Sequence, residues 1–309
     1  MKFQFNTILI LLATLLTMAS CGESENPADL VSPKISAISA STSIQPAAGQ
    51  LFPPTLTAAP VMLKVNDPSG VNEILLDIHG GFDGHSHGRL NTNFERLSVR
   101  KIFSATASDP KLKIEAGATE VVLDHFKVSW AGANSSVSGN VIAGPYHITI
   151  SATDALGNQT SFANASNYHT TFYIQRPYAP VIDLEMSSGN SLSAKKGLSL
   201  SLNGKIAKGD DPLSSDLAFV WVRLATQDNL DEKDGEGEVL ISQQMWGKSN
   251  WRSLTGKSFS NTLELDLQTS LVQNPIQIPS SAPNDLVLII WAEDIVGNVS
   301  RMVYPVKVL

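Results

Sequence analysis

Short apolar runs separated by glycine, proline, asparagine and aspartate are the feature that most constrains this chain. Residues 61–65 and 74–78 are such runs, and residues 146–152 alternate between apolar and polar side chains. Each run has the length of a strand and is flanked by turn-forming residues, whereas the helical period of 3.6 residues is weak throughout. The pattern therefore predicts an all-β fold of the sandwich type.

A motif near the end of each half of the chain indicates an internal repeat. The sequence Asp-x-x-Gly-Asn occurs at 154–158 and again at 294–298, each time after one apolar run and before another. Two further pairs of segments correspond, namely 121–124 with 263–266 and 33–35 with 180–182.

A proline-rich segment at 176–180 separates the two copies. We therefore predict two tandem β-sandwich domains, at 32–176 and 177–309, each within the usual size range of a domain. A strand that runs into Asp-x-x-Gly-Asn and then into a final strand resembles the ending of bacterial immunoglobulin-like modules.

The charge balance limits the partners that the chain can bind. The sequence has 22 Lys and Arg residues against 29 Asp and Glu, which gives a formal net charge of −7. Nucleic acid is excluded as the main partner, because neutralising phosphates needs clustered basic residues. The single cysteine cannot form an internal disulfide or a cysteine-rich zinc module.

The N-terminus is typical of an exported protein. An apolar run at 8–16 follows Lys2 and is too short to span a bilayer as a helix, so residues 1–20 are interpreted as a signal peptide. Small residues directly before Cys21 resemble a bacterial lipobox, which predicts lipidation of Cys21 and a tether at 21–31. An ordinary cleaved signal is the alternative.

Lipidation of Cys21 would make the membrane a partner of this chain, since two or more acyl chains anchor a protein stably. The predicted location is the cell envelope, as an outer-membrane lipoprotein that is exposed at the surface or faces the periplasm. An acidic stretch directly after the cysteine resembles the export signals of some surface lipoproteins.

All six histidines precede the predicted domain boundary, and three of them lie close together in sequence. His79, His85 and His87, with Asp83 between them, follow a strand and enter a glycine-rich loop. Neutral imidazole suits zinc, copper, nickel and iron, and a carboxylate completes such sites. We predict a zinc or copper site here; a polar loop whose histidines cap turns or meet solvent is the alternative.

Two further histidines are candidate ligands of the same ion. His147 begins a strand that is expected to be central, and His125 follows the run at 121–124, so both could reach the end of the domain that carries the loop. A half-buried, hydrogen-bonded histidine is the alternative for each of them. His169 is expected to be a surface residue without a role.

These segments together resemble a family of bacterial lipoproteins, domain of unknown function 4625. The resemblance rests on Asp-Ile-His-Gly-Gly-Phe-Asp-Gly-His-Ser-His-Gly at 77–88, on Gly-Pro-Tyr-His at 144–147 and on the first Asp-x-x-Gly-Asn turn, and it covers about residues 32–175. The recognisable positions of the family map to His79, Phe82, Asp83, His85, His87, Tyr146 and His147, with His125 as a further correspondence. The family has no established activity, so the resemblance implies a shared site and no reaction.

The second half departs from this pattern. Leu286 and Val287 stand where the first half has Tyr146 and His147, and no histidine loop is present. The resemblance therefore places any metal function in the first half.

Two segments of the second half carry weaker candidates. The acidic loop at 228–238 offers several oxygen ligands for calcium, although its spacing does not fit an EF-hand and a solvated loop is the alternative. Trp246 and Trp251 could present an aromatic surface to a glycan or a protein, or could pack in a core.

The sequence contains no nucleophile elbow, phosphate-binding loop or zinc-protease helix, so the protein is not expected to be an enzyme. The leading hypothesis is a membrane-anchored lipoprotein that binds zinc or copper. The alternative is an adhesion or glycan-binding lipoprotein without a metal. A metal-dependent hydrolase is a third hypothesis, for which the sequence offers no general base beyond Asp83 or Asp77.

Overall fold

The alternating apolar runs form strands in the computed structural model, which describes residues 30–81, 93–186, 191–228 and 239–309. The chain separates into Met1–Val31, described only at its last two residues, and one compact unit, Ser32–Leu309. The first half of that unit contains the following strands: β1 Lys34–Ser36, β2 Leu51–Phe52, β3 Ala58–Asn66, β4 Val71–Gly80, β5 Phe94–Glu95, β6 Val99–Ser104, β7 Glu120–Ser129, β8 Asn140–Val141, β9 Gly144–Asp154 and β10 Tyr168–Ile174.

These strands form a three-stranded sheet, β1-β3-β7, and a five-stranded sheet, β2-β10-β9-β4-β6. Apolar side chains from both sheets meet in one core, as the period of two along each strand requires. Val61 and Leu63 of β3 and Ile74 and Ile78 of β4 are each fully buried there. A short pair, β5 with β8, lies outside the two main sheets.

The second half repeats the two main sheets of the first half. Its elements are β11 Val181–Leu184, β12 Leu192–Ala194, β13 Ser199–Leu200, β14 Gly204–Ala207, β15 Leu217–Ala225, β16 Leu240–Gly247, β17 Glu264–Asp266, α1 Leu267–Gln273, β18 Ile276–Gln277, β19 Asp285–Asp294 and β20 Val299–Val308. The sheet orders β11-β14-β17 and β12-β20-β19-β15-β16 match those of the first half position by position. The predicted all-β, immunoglobulin-like sandwich architecture is confirmed.

Helix α1 is an element that the strand pattern did not predict. Asp266 caps its N-terminus, since the carboxylate accepts a hydrogen bond of 2.7 Å from the backbone N–H of Thr269. Leu267 and Leu271 point into the core of the second half. The helix therefore follows β17 directly and contributes apolar side chains where the first half has a longer strand.

The two halves also pack against each other. Tyr173 of the first half lies in an apolar cluster with Trp221, Trp251 and Trp291 of the second. The backbone N–H of Val299 donates to the carbonyl of Ala143 at 2.9 Å. Residues 32–309 therefore form one unit, and the predicted division at 176/177 into two domains stays a prediction.

The tryptophans proposed as an exposed aromatic surface lie in the interior. Trp246 is 4% exposed and Trp251 is 7% exposed. The indole N–H of Trp251 donates to the carbonyl of Gly297 at 2.9 Å. Core packing, the alternative considered from the sequence, is what the structure shows for both.

Candidate functional site

Three histidines lie on the outward face of the five-stranded sheet, and we call them the histidine face: His79 on β4, His147 on β9 and His169 on β10. They face outward because their neighbours Ile78 and Ile148 fill the core, and side chains alternate along a strand. The three strands are adjacent in the sheet, so residues distant in sequence become neighbours on one surface.

Strand register sets the spacing within the histidine face. His79 pairs directly with His147, and His147 pairs with Thr171, which places His169 on the diagonal. The ring centroids of His79 and His147 are 5.7 Å apart with planes inclined by 27°. Those of His147 and His169 are 5.4 Å apart and inclined by 9°. The three imidazoles therefore form a stacked row across the strands.

Hydrogen bonds orient two of these rings. Nδ1 of His79 lies 2.7 Å from Oδ1 of Asp77, two residues earlier on the same strand face. Because a carboxylate only accepts, Nδ1 carries the proton and Nε2 is the nitrogen that can bind an ion. Nδ1 of His147 lies 3.4 Å from the hydroxyl oxygen of Thr171.

Gly81 holds the chain close to the ring of His147 where β4 ends. Its N–H donates to the carbonyl of Pro145 at 2.9 Å. A Cβ at this position would lie 2.9 Å from Cδ2 and 3.1 Å from Nε2 of His147. Only glycine fits this approach without moving the ring, and the backbone leaves the sheet here toward the predicted loop.

The other predicted site residues are distributed differently. His125 lies on β7, in the three-stranded sheet, where its side chain is 93% exposed and Nε2 lies 3.1 Å from Oδ1 of Asp124. The structure therefore does not bring His125 to the histidine face, because β7 and β4 belong to opposite layers. Asp83, His85, His87 and Cys21 lie outside the described residues.

The calcium candidate is described only at its first residue. Asp228 forms an ion pair with the buried guanidinium of Arg301, and residues 229–238 lie outside the described part of the chain. Asp228 is therefore engaged in a contact with β20, and the ligand set proposed for the rest of the loop stays a prediction.

Sequence reasoning missed the contact of His169 with His147 and that of Asp77 with His79, since it considered Asp77 only as a possible general base. His169 was taken for a surface residue without a role, yet it stacks on His147 and its ring lies 5.5 Å from that of Phe162. Strand alternation could have indicated the contact of Asp77 with His79, since both occupy polar positions of one alternating strand, but β10 does not alternate and gives no such signal for His169.

Within the described ranges, no group of three or more His, Cys, Asp or Glu side chains is arranged to hold a metal ion. The stacked rings run parallel instead of converging on one point. The histidine face is thus a set of potential ligands near the end of β4, directly before the segment 82–92, which is outside the described residues.

Residues 19–169 match DUF4625, a domain of unknown function. The predicted resemblance is confirmed, and the DUF4625 match includes every residue of the histidine face and ends at His169. No curated protein matches the sequence.

Solved structures provide further comparisons. Dimeric latent PorU from Porphyromonas gingivalis is 16% identical with a TM-score of 0.25, over 93% of this chain and 21% of that one. The protein SGBP-B of Bacteroides ovatus, in complex with a mixed-linkage heptasaccharide, is 14% identical with a TM-score of 0.23, over 90% and 48%. The sialic acid binding region of a Streptococcus sanguinis adhesin is 11% identical with a TM-score of 0.22, over 91% and 78%.

This chain thus spans about a fifth of the PorU chain. Similarities at this level are too low to transfer a ligand or an activity. Among the residues that the structure describes, no helix has the length and apolarity needed to cross a membrane.

Proposed function

We propose that this chain is a membrane-anchored surface lipoprotein that binds a transition-metal ion, zinc or copper, through its histidine face. The observation that carries the proposal is the cross-strand pair His79 and His147, directly before a loop that contains His85 and His87. The role is binding, in metal capture, delivery or sensing, and not catalysis.

The contact between Asp77 and His79 supports this choice of ligand. A metal-bound histidine commonly donates its other N–H to a carboxylate, which fixes the ring and raises the basicity of the binding nitrogen. Asp77 provides that carboxylate at 2.7 Å. The arrangement prepares Nε2 of His79 for an ion.

Metal binding requires the two rings to turn toward each other. Two nitrogens on one tetrahedral zinc lie roughly 3.3 Å apart, given zinc–nitrogen bonds of about 2.0–2.1 Å. The ring centroids of His79 and His147 are 5.7 Å apart, which side-chain rotation on neighbouring strands can close. His85, His87 and Asp83 are the further ligands that the sequence offers.

The first test measures bound metal in the soluble chain from Gly22 onward, purified without a histidine tag and equilibrated with trace zinc, copper, nickel and iron. We expect about one ion per chain by elemental analysis. The double variants His79→Ala/His147→Ala and His85→Ala/His87→Ala should each bind the metal at least tenfold more weakly. Each variant removes two of the proposed ligands, and every ligand contributes strongly to the affinity of such a site.

His125→Ala is the matched control, because it removes an exposed histidine from the opposite sheet. The control should bind metal as the unchanged chain does. Absence of bound metal in the unchanged chain would contradict the proposal. Full binding by His79→Ala/His147→Ala would place the site in the loop alone and remove the histidine face from it.

Anchoring is tested separately, in the bacterial envelope. The full chain should take up labelled fatty acid and fractionate with membranes, whereas Cys21→Ser should do neither. A Cys21→Ser chain that still fractionates with membranes would show that another feature holds the protein there.

A glycan or surface-protein partner without a metal is the second candidate. The observation that favours it is Phe162, 66% exposed beside His169, since an exposed aromatic ring can stack on a sugar. Retention on a glycan array that is lost with Phe162→Ala, in a chain that binds no metal, would favour this candidate.

A further inference from the structure

Three turns lie together at one end of the first half, and we call them the outer end: 67–70, 115–119 and 154–158. Backbone hydrogen bonds join these turns. The N–H of Asp67 donates to the carbonyl of Thr119 at 3.0 Å, and the N–H of Ala155 donates to the carbonyl of Gly70 at 2.8 Å. The outer end is therefore one continuous surface that the packing of both sheets holds in place.

The outer end presents apolar side chains and little charge. Its two aspartates, Asp67 and Asp154, are 2% and 1% exposed, whereas Leu156 is 61% exposed. Pro68, Ala116 and Ala155 are exposed as well. Within these three turns, every residue of which the structure describes, Glu115 is the only exposed charged residue. Covering this surface therefore costs little in lost hydration of polar groups.

The corresponding surface of the second half is an interface. Val296 takes the position of Leu156 in the second Asp-x-x-Gly-Asn turn. It packs against the cluster of Phe94, Ile142 and Tyr178, where the two halves meet. The repeat thus uses this end as a contact surface in its second copy, and the same end of the first copy is exposed.

The second half does not cover the outer end, because it contacts the opposite end of the first half. The N–H of Ala143, directly before β9, donates to Oδ1 of Asn298 at 3.1 Å. The turn at 154–158 begins instead at the last residue of β9. This strand has 11 residues and rises about 3.3 Å per residue, so the two Asp-x-x-Gly-Asn turns are about 35 Å apart.

The N-terminal segment joins the fold at the outer end. Lys34, the first residue of β1, pairs with Asn66, the last residue of β3, directly before the turn at 67–70. Cys21, the predicted lipidation site, lies only 13 positions before Lys34. An anchor on Cys21 is therefore attached to the side of the fold that carries Leu156.

We infer that the outer end lies on the surface of the lipid bilayer, with Leu156 inserted at the boundary between headgroups and acyl chains. The inference rests on the proposed lipidation of Cys21. An apolar side chain buried at this boundary stabilises membrane contact and adds to the effect of the acyl chains. Two copies anchored in one membrane present their outer ends in the same direction, so these ends cannot pack against each other.

The experiment places an environment-sensitive dye at the outer end of the full lipidated chain. In Leu156→Cys the new thiol is the only free one, since the lipid occupies the sulfur of Cys21, the single native cysteine. The labelled chain is reconstituted in vesicles of phosphatidylethanolamine and phosphatidylglycerol. Its emission should shift to shorter wavelength than that of a labelled chain from Gly22, which lacks the anchor. A spin label on the acyl chains should quench it.

Ile295→Cys is the matched control, because Ile295 is also 61% exposed and lies in the second Asp-x-x-Gly-Asn turn. Its dye should keep the emission that it has in water and should not be quenched. A chain that floats with the vesicles while the two positions give the same signal would overturn the inference alone.

Two further outcomes separate the inference from its alternatives. A chain that does not float with the vesicles would refute the lipidation of Cys21, and the inference with it. A shift at position 156 that appears without vesicles and grows with protein concentration would identify a second copy as the occupant, and would overturn the inference as well.

Discussion

At the scale of single residues, the same motif acquires opposite electrostatics in the two halves. Asp154 and Asp294 occupy equivalent places in Asp-x-x-Gly-Asn, and each accepts hydrogen bonds from the asparagine four residues later. Asp294 is fully buried, and burial raises its pKa to about 6. At Asp154 burial also acts to raise the pKa, but the hydrogen bonds outweigh it and the pKa is lowered. The two turns also differ in their surroundings, since Asn298 and Val299 at the second turn bond to Ala143 of the first half.

This contrast predicts a pH dependence of stability. The pKa of Asp294 in the folded chain, about 6, lies above its unfolded value near 3.8, so the folded state binds more protons between those values. Its contribution is complete below about pH 4 and is lost as pH rises through 6, by up to about 3 kcal/mol. Asp294→Asn should remove this decrease, measured by urea unfolding from pH 4 to 7.

Asp154→Asn serves as the comparison for that measurement. The folded pKa of Asp154 is lowered, so its contribution is present at neutral pH and is lost as pH falls toward acid. The two variants should therefore change the pH profile in opposite directions. If the unfolding free energies of Asp294→Asn and the unchanged chain changed with pH in the same way, Asp294 would be ionised in both the folded and the unfolded chain, and the prediction would be wrong.

At the scale of elements, the end of β4 determines how the histidine face meets the loop. The N–H of Gly81 continues the pairing with β9 by donating to Pro145, one residue beyond the end of β4. The missing side chain lets the ring of His147 lie against the backbone. The position of this ring thus depends on a glycine that lies just beyond the end of the neighbouring strand.

Gly81→Ala should displace the ring of His147, because the new Cβ would lie 2.9 Å from Cδ2. We expect a changed chemical shift of the His147 ring protons and at least a tenfold weaker metal affinity, since ligand position determines affinity in such sites. His125→Ala is the control, because it changes an exposed side chain on the opposite sheet and leaves the contact between Gly81 and His147 intact. Unchanged affinity in Gly81→Ala would contradict a role for His147 as a ligand.

At the scale of the whole molecule, the contacts between the two halves make residues 32–309 one unit. Asn298 is fully buried, accepts a hydrogen bond of 3.1 Å from the N–H of Ala143 and donates to Asp294. Trp251 packs beside it, since a Cβ on Gly297 would lie 2.5 Å from the indole ring. The second Asp-x-x-Gly-Asn turn therefore joins the halves.

The unit should unfold in a single calorimetric transition. Asn298→Ala should destabilise it by about 2 kcal/mol more than Asn158→Ala, because it leaves the buried N–H of Ala143 without an acceptor. Asn158 has the same place in the first motif and also donates to its aspartate, at 2.6 Å. Two separate transitions in the unchanged chain would favour the predicted division into independent domains.

The sequence by itself determined the all-β class, the repeat and the resemblance to DUF4625, because strand alternation and turn chemistry are local properties. It also located His79 and His147 as candidates, since both stand beside recognisable motifs. It could not place His125 on the opposite sheet or His169 beside His147. Those placements depend on strand order, which pairs β4 with β9 and β9 with β10 across long separations in the chain.

Only the tertiary structure decided which polar groups are buried. Asp67 and Asp154 are acidic residues that carry no sequence signal of burial, yet they are 2% and 1% exposed. Trp246 and Trp251 could have faced solvent by sequence, and the packing of both halves buries them. Local patterns determine the face that a strand presents, whereas burial depends on which surface later covers that face.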